Sequence, residues 1–178
     1  MNDKNYYGEP VENKVQKIIN IKKKITVIGL GIILLFTAFV IYLLNVEKVA
    51  LTEETFESYM EEKGLLISDI TDQVSDYDYV EYIAMAIKED FTYQIEFCIF
   101  SDEDHAIDFY DSMQESAEEE SGNSSVELSL NMPTYASYTL SSDDTYILIS
   151  RIDNTVIYLI ADSIYEEEIK EIMSDLDY

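Results

Sequence analysis

Hydrophobic residues in this chain occur first as one uninterrupted run and later as short periodic patterns. Residues 25–44 (ITVIGLGIILLFTAFVIYLL) contain no charged side chain over 20 positions. A helix that rises about 1.5 Å per residue covers roughly 30 Å over this length, which is the hydrocarbon thickness of a bilayer. The run therefore predicts a transmembrane helix over residues 25–44, with a tail over 1–24 before it and a tether over 45–51 after it.

Residues 52–178 show the two hydrophobic periods that mark helices and strands. Helical spacing follows Thr52, Ser101 and Ser163, which are expected to cap three acidic helices. Short apolar segments bounded by turn residues predict antiparallel strands near residues 65–71, 79–88, 91–100, 126–130, 134–140, 145–151 and 155–161. The segment over 91–100 alternates apolar and polar residues: Tyr93, Ile95, Phe97 and Ile99 share one face and Thr92, Gln94 and Glu96 take the other. The predicted order is α-β-β-β-α-β-β-β-β-α, in which a hairpin followed by a serine-capped helix occurs twice. The pattern predicts an α+β domain of two layers, an antiparallel sheet with its helices on one face.

The distribution of charge predicts which side of a membrane each end occupies. Residues 1–24 carry six lysines against three acids, whereas residues 45–178 carry five basic residues against 34 acids. Lysine excess marks the cytoplasmic flank of a membrane helix, so the acidic domain is expected outside the cell. The apolar run exceeds the roughly 7–15 residues of a cleaved signal peptide and lacks a small-x-small site, so an uncleaved signal-anchor is expected.

Composition also limits the chemistry of the acidic domain. A formal charge of −26 over the whole chain disfavours contact with phosphate backbones, so nucleic acid is not an expected partner. Cys98 is the single cysteine, which excludes an intrachain disulfide and favours an inert packed thiol. The sequence contains no P-loop, zinc-ligand spacing or catalytic-triad pattern, and we expect no cofactor.

Five residues are candidates for contact with a partner. Arg151 is the single arginine and would either grip an anionic ligand or pair with carboxylates of the domain. Four tyrosines would either form a contact surface on an exposed sheet face or pack as ordinary strand residues: Tyr79, Tyr82, Tyr135 and Tyr138.

Histidine and carboxylate clusters offer weaker candidates. His105, the single histidine, lies among Asp102, Glu103 and Asp104 and is expected to be solvated. Acidic clusters could hold Ca²⁺, although none has the ligand spacing of an EF-hand and helix capping explains one of them. These clusters are Asp69, Asp72, Asp76 and Asp78; Asp102, Glu103 and Asp104; and Glu118, Glu119 and Glu120.

One segment carries a resemblance to known proteins. Residues 150–158 (SRIDNTVIY), followed by an acidic helix that ends in LDY at 176–178, resemble uncharacterised membrane-anchored proteins and lipoproteins of low-GC Gram-positive bacteria. The resemblance implies an anchored extracytoplasmic α+β domain over residues 52–178 and brings no known activity. This chain departs from the lipoprotein members because it lacks an anchoring cysteine.

These patterns together favour a membrane-tethered extracytoplasmic binding or scaffolding domain. Its partner would be an unidentified protein or a cationic ligand, beside the membrane contacted through residues 25–44. One alternative is a carboxylate-dependent extracytoplasmic hydrolase, which would need a deep cleft with two carboxylates of raised pKa. The other is a sensor of Ca²⁺ or of cationic peptides.

Overall fold

A computed structural model describes residues 28–29, 31–38, 48–120 and 125–178. The chain divides into two compact units, Met1–Val46 and Glu47–Tyr178. In the first unit, residues 28–29 and 31–38 are helical, and the rest of the predicted membrane helix over 25–44 lies outside the described residues. The same holds for the tail over 1–24 and for residues 45–47 of the tether. Within the described ranges, no helix combines the length and hydropathy needed to span a membrane.

The second unit confirms the predicted α+β class and the predicted order of helices and strands. Its described part forms three α-helices, α1 Glu53–Glu62, α2 Glu103–Glu120 and α3 Glu166–Asp175. It forms seven strands, β1 Leu66–Asp69, β2 Val80–Ile87, β3 Tyr93–Phe100, β4 Val126–Asn131, β5 Tyr135–Ser141, β6 Thr145–Ile152 and β7 Thr155–Asp162. Two short 3₁₀ turns, Thr71–Val74 and Ser163–Tyr165, were not predicted.

Of the three capping residues predicted from the sequence, one caps its helix in the structure. Thr52 caps α1, because its side chain accepts a hydrogen bond from the backbone N–H of Thr55. Asp102, one residue later than expected, caps α2 by accepting from the N–H of His105 at 3.0 Å. Ser163 does not cap α3: its hydroxyl donates to the carbonyl of Asp143 at 2.7 Å, and a 3₁₀ turn intervenes before the helix.

All neighbouring strands in the sheet are antiparallel, in the order β1-β2-β3-β7-β6-β5-β4. The order arises from two meanders, β1-β2-β3 and β4-β5-β6-β7, which join where β3 pairs with β7. In that central pair, Phe97 lies opposite Ile157 and Cys98 lies opposite Val156. Because side chains alternate between faces along a strand, these two rows point to opposite sides of the sheet.

Helices cover both faces of the sheet, so the predicted two-layer arrangement with helices on one face is wrong. Residues of α1 and α3 pack with Ile95 and Phe97 of β3, whereas residues of α2 pack with Cys98 and Phe100. The last buried residue of β3 is Phe100 and that of β7 is Ala161, and they belong to different faces. The helix that follows β3 therefore packs on one face of the sheet, and the helix that follows β7 packs on the other. The domain has three layers: α1 and α3, the sheet, and α2.

Candidate functional site

Helix α2 covers only part of its face of the sheet. The cluster beneath α2 includes Cys98 and Val156 on the central strands but reaches Leu140 and Ile147 on β5 and β6. Two rows of side chains on the neighbouring strands of this face are not among the buried residues of that cluster, although Tyr158 packs against it. We call these two rows the open corner. The strand registers define these rows as Leu66, Ile87, Gln94 and Ile160, and as Ser68, Met85, Glu96 and Tyr158.

The open corner forms a depression of about 480 Å³, with Gln94, Glu96, Tyr158 and Ile160 among its lining residues. Phe91, in the β2–β3 turn, forms part of its wall and is 78% exposed. Phe91 has a φ of 61°, a conformation that costs a bulky residue on the order of 1 kcal/mol or more. The turn holds this residue in place, because its N–H donates to the carbonyl of Lys88 at 2.8 Å.

Glu96 is the charged residue of the open corner. Its carboxylate is half-buried and accepts a hydrogen bond from the Gln94 side-chain amide at 2.9 Å. Burial raises the pKa of the Glu96 carboxyl above its ordinary value, and the bond from Gln94 opposes this effect. Across the described part of the chain, no lysine or arginine forms an ion pair with Glu96.

This arrangement suits a cationic group that carries apolar surface. A lysine or arginine head would pair with Glu96, while its aliphatic stem would lie along Tyr158, Ile160 and Phe91. Aromatic rings next to the carboxylate add attraction for a cation. Glu96 is the single carboxylate among the described lining residues, so the paired carboxylates that a hydrolase would need are not found in this depression.

Arg151 lies away from the open corner, and its guanidinium forms hydrogen bonds within the protein. Its side chain is 3% exposed, and Nη1 donates to Glu103 at 3.1 Å and to the carbonyl of Asp153 at 3.2 Å. Nη2 donates to the carbonyls of Met132 and Pro133 at 3.4 and 3.1 Å. Of the two interpretations of Arg151, the structure supports pairing with a carboxylate, because the guanidinium ties the start of α2 to two strand connections.

The four candidate tyrosines do not share one surface. Tyr82 is buried and its hydroxyl donates to Glu57 at 2.8 Å, and Tyr138 is buried beneath α2. Tyr79 is half-buried and its ring stacks on His105 with centroids 4.7 Å apart. The ammonium of Lys48 lies 5.8 Å from the ring centroid of Tyr135. Packing accounts for the placement of Tyr82 and Tyr138, whereas a contact role for Tyr79 and Tyr135 stays a prediction.

Two buried tyrosine hydroxyls under α2 lack a hydrogen-bond partner. Among the described residues, no group lies within normal hydrogen-bond distance of the hydroxyl oxygens of Tyr110 and Tyr138. Ser129 lies close enough to lower the pKa of Tyr110 slightly, but burial dominates and raises that pKa to about 12. Both tyrosines are buried beneath α2, where their rings serve packing, and Tyr110 also lines a depression of about 290 Å³ next to Arg151.

The remaining candidates have structural explanations. Cys98 is buried, and burial raises the pKa of its thiol to about 12, which keeps it protonated and unreactive. His105 Nδ1 lies 2.8 Å from Asp102, the residue that caps α2. Asp69 accepts from the N–H of Thr71 at 2.8 Å, as turn-forming aspartates do. Among the residues that the structure describes, no three histidine, cysteine or acidic side chains are grouped to hold a metal ion.

Glu96 is the site residue that sequence reasoning missed. The alternation of β3 places it on the polar side of the strand, which is correct, but the pattern does not show that the neighbouring strands surround it with Met85 and Tyr158. One signal is present in the sequence: Glu96 is the only charged residue within the strand YQIEFCIF, where a buried carboxylate is uncommon without a role.

Comparison of the chain with known proteins found no match. No family model matches it, and neither the curated proteins nor the solved structures include a significant match. The resemblance to anchored Gram-positive proteins therefore stays a prediction.

Proposed function

We propose that the chain is a membrane-tethered extracytoplasmic binding domain that takes a cationic segment of a partner protein or peptide in the open corner. The observation that carries this proposal is Glu96, a half-buried carboxylate with no basic partner in the described residues, on the part of its sheet face that α2 leaves uncovered. A carboxylate kept there costs stability, and such a cost is typical of residues retained for binding.

The charge of the domain supports a cationic ligand. Residues 45–178 carry 34 acids against five basic residues, which creates a negative potential around the whole domain. Such a potential accelerates the approach of a cationic partner, and salt weakens it. Specificity then comes from the open corner, where Glu96 is desolvated and apolar side chains surround it.

The membrane tether is supported by residues 31–38 as well as by the sequence pattern. In this helical stretch, Ile32, Ile33, Leu34, Leu35 and Phe36 are between 62% and 74% exposed. Adjacent large apolar side chains on all sides of a helix are stable in lipid and costly in water. The lysine-rich residues 1–24 favour a cytoplasmic position for the tail and an external position for residues 52–178.

The topology is tested by adding protease to intact cells that express the full chain. We expect loss of residues 52–178 from intact cells, because the domain is external, while the residues 1–24 remain protected until the cells are permeabilised. Immunoblotting with antibodies to each end measures both. Protection of the acidic domain in intact cells would overturn the tether as proposed.

The binding role is tested by calorimetry of the full chain in detergent with a peptide of eight alternating leucines and lysines. We expect binding to the wild type and a loss of about tenfold in affinity with Glu96→Gln, since one charge-assisted contact contributes roughly 1.4 kcal/mol or more. A peptide of alternating leucines and glutamates should show no heat of binding. Absence of binding by the lysine peptide would refute the proposal.

A matched variant separates the open corner from the general charge. Glu171 is exposed on α3, which packs on the opposite face of the sheet. Glu171→Gln changes the net charge equally and should leave affinity within about twofold, as expected for a distant surface charge. Equal weakening by both variants would mean that binding is non-specific.

Stability measurements show whether Glu96→Gln remains folded. Because the pKa of Glu96 is raised in the folded state, its ionised form lowers stability at pH values above that pKa. The glutamine variant should therefore match the wild type in acid and become relatively more stable as pH rises through the pKa of Glu96. A destabilised variant at neutral pH would contradict this account.

A further inference from the structure

Strand β4 is an edge of the sheet that exposes its whole length. All six of its residues, Val126–Asn131, are exposed, and Leu128 is 69% exposed. Its apolar residues Val126, Leu128 and Leu130 alternate with polar ones, so they form a stripe on one face. An exposed edge strand with an apolar stripe offers unpaired backbone groups and hydrophobic surface to a further strand.

The stripe lies on the face that carries α1 and α3 but beyond the reach of both helices. Leu128 pairs with Thr139 of β5, and Thr139 pairs with Leu148 of β6, so these three side chains share one face. The core cluster of α1 and α3 includes Leu148, whereas Thr139 is half-buried and Leu128 is exposed. The described helices therefore do not cover the stripe.

The opposite edge of the sheet shows how an edge that does not pair is protected. Strand β1 has four residues and ends at Asp69, whose carboxylate accepts the N–H of Thr71. The 3₁₀ turn that follows folds back on β2, where the Thr71 hydroxyl accepts from the N–H of Ile83 at 3.0 Å. Short length and a charged end are protective features, and β4 has six residues with its one charge in the interior of the strand.

We propose that β4 is an interface with a second copy of this chain, formed by antiparallel pairing of the two β4 strands about a twofold axis at Leu128. An antiparallel pair about such an axis keeps the two apolar stripes on the same face. In the register centred on Leu128, Val126 of each copy lies opposite Leu130 of the other, and the two Leu128 side chains meet at the axis.

Charge selects this register over its neighbours. Glu127 is the only charged residue of β4. Centring the pair on Leu128 places Glu127 opposite Ser129, whereas centring it on Glu127 would place two carboxylates directly opposite each other, which is destabilising. Centring it on Ser129 would leave Val126 without an apolar partner within the strand. Leu128 is therefore the centre that pairs all three apolar residues and separates the carboxylates.

The register is tested by single cysteines in the full chain in detergent, under mild oxidation by copper–phenanthroline. Cysteines at the axis of an antiparallel pair have Cα atoms about 4.5–5.5 Å apart, which is within disulfide range. Leu128→Cys should form a covalent dimer, while Glu127→Cys and Ser129→Cys should each form no cross-link alone and should cross-link when mixed. The wild type is the control, because Cys98 is buried. Self-cross-linking of Glu127→Cys with an unlinked Leu128→Cys would overturn the proposed register.

Sedimentation of the same full-length protein tests the interface without cross-linking. Leu128→Glu should shift the protein to a monomer, because it places two added carboxylates at the axis. Leu66→Glu, an equivalent change at an exposed leucine on another strand, should leave the dimer intact. Added salt should strengthen the dimer, since it screens repulsion between two acidic domains, and should weaken binding of the lysine peptide. A wild-type protein that is monomeric at concentrations up to about 0.2 mM would refute the interface.

Discussion

Replacing Arg151 with methionine is expected to lower the free energy of unfolding by about 3 kcal/mol, because the buried guanidinium is lost and three backbone carbonyls lose a charged donor. These acceptors are the backbone oxygens of Asp153, Met132 and Pro133. Methionine fills a similar volume without a polar head, so the loss reports the hydrogen bonds more than a cavity. Urea unfolding of the full chain in detergent, followed by the near-ultraviolet circular dichroism of its tyrosines, measures the change.

Glu103→Gln is the matched control for Arg151. The Glu103 side chain is 45% exposed, so the ion pair with Arg151 is partly solvated. A pair of this kind contributes up to about 1 kcal/mol, and the variant should stay within that range. If both variants destabilised equally, the ion pair and not the carbonyl contacts would hold the connections together.

Replacing Phe97 with alanine is expected to lower the free energy of unfolding by about 3–5 kcal/mol, the cost of a cavity in a closed core. Phe97 has no exposed surface, stacks on Phe56 of α1 with centroids 4.7 Å apart and contacts Tyr82 edge-on at 6.2 Å. Its strand pairs with β2 on one side and β7 on the other, so the cavity cannot close by moving an edge. The same urea unfolding measures the loss.

Phe91→Ala provides the control for Phe97. Phe91 is 78% exposed, so its truncation should change the free energy of unfolding by less than about 0.5 kcal/mol. It should weaken binding of the lysine peptide, because the side chain forms part of the wall of the open corner. Equal destabilisation by the two variants would contradict the placement of the core between α1 and the sheet.

The local pattern of the sequence was sufficient to predict the helices and strands of the domain and their order. Short apolar segments between turn residues predict each of the seven strands, and in β3 and β4 the hydrophobic side chains recur two residues apart, as expected for a strand. Helix starts were predicted less well, since Ser101 and Asp102 are both good caps and Asp102 has the bond to the N–H of His105. The Ser163 hydroxyl does not cap its helix, because it donates a hydrogen bond to the carbonyl of Asp143, a residue 20 positions away.

The candidate site depended on contacts that no local pattern contains. Arg151 was recognised as unusual, but its burial results from α2 and two strand connections closing around it. Glu96 is the one charged residue of β3, and its raised pKa arises from burial, which the local sequence does not show. Tyr82 and Tyr138 have the same local setting as an exposed strand tyrosine, and only the position of the helices buries them.

The sequence by itself determined the apolar run over 25–44, the acidic character of the domain, its α+β class and the order of its elements, because these follow from charge and from periodicity within a few residues. The tertiary structure decided which face each helix covers. That choice depends on the pairing of β3 with β7 and on the side of the sheet reached at Phe100 and at Ala161. Helix α2 covers only part of its face and leaves Glu96 half-buried in a depression, since one helix is too narrow to cover the full width of a seven-stranded sheet.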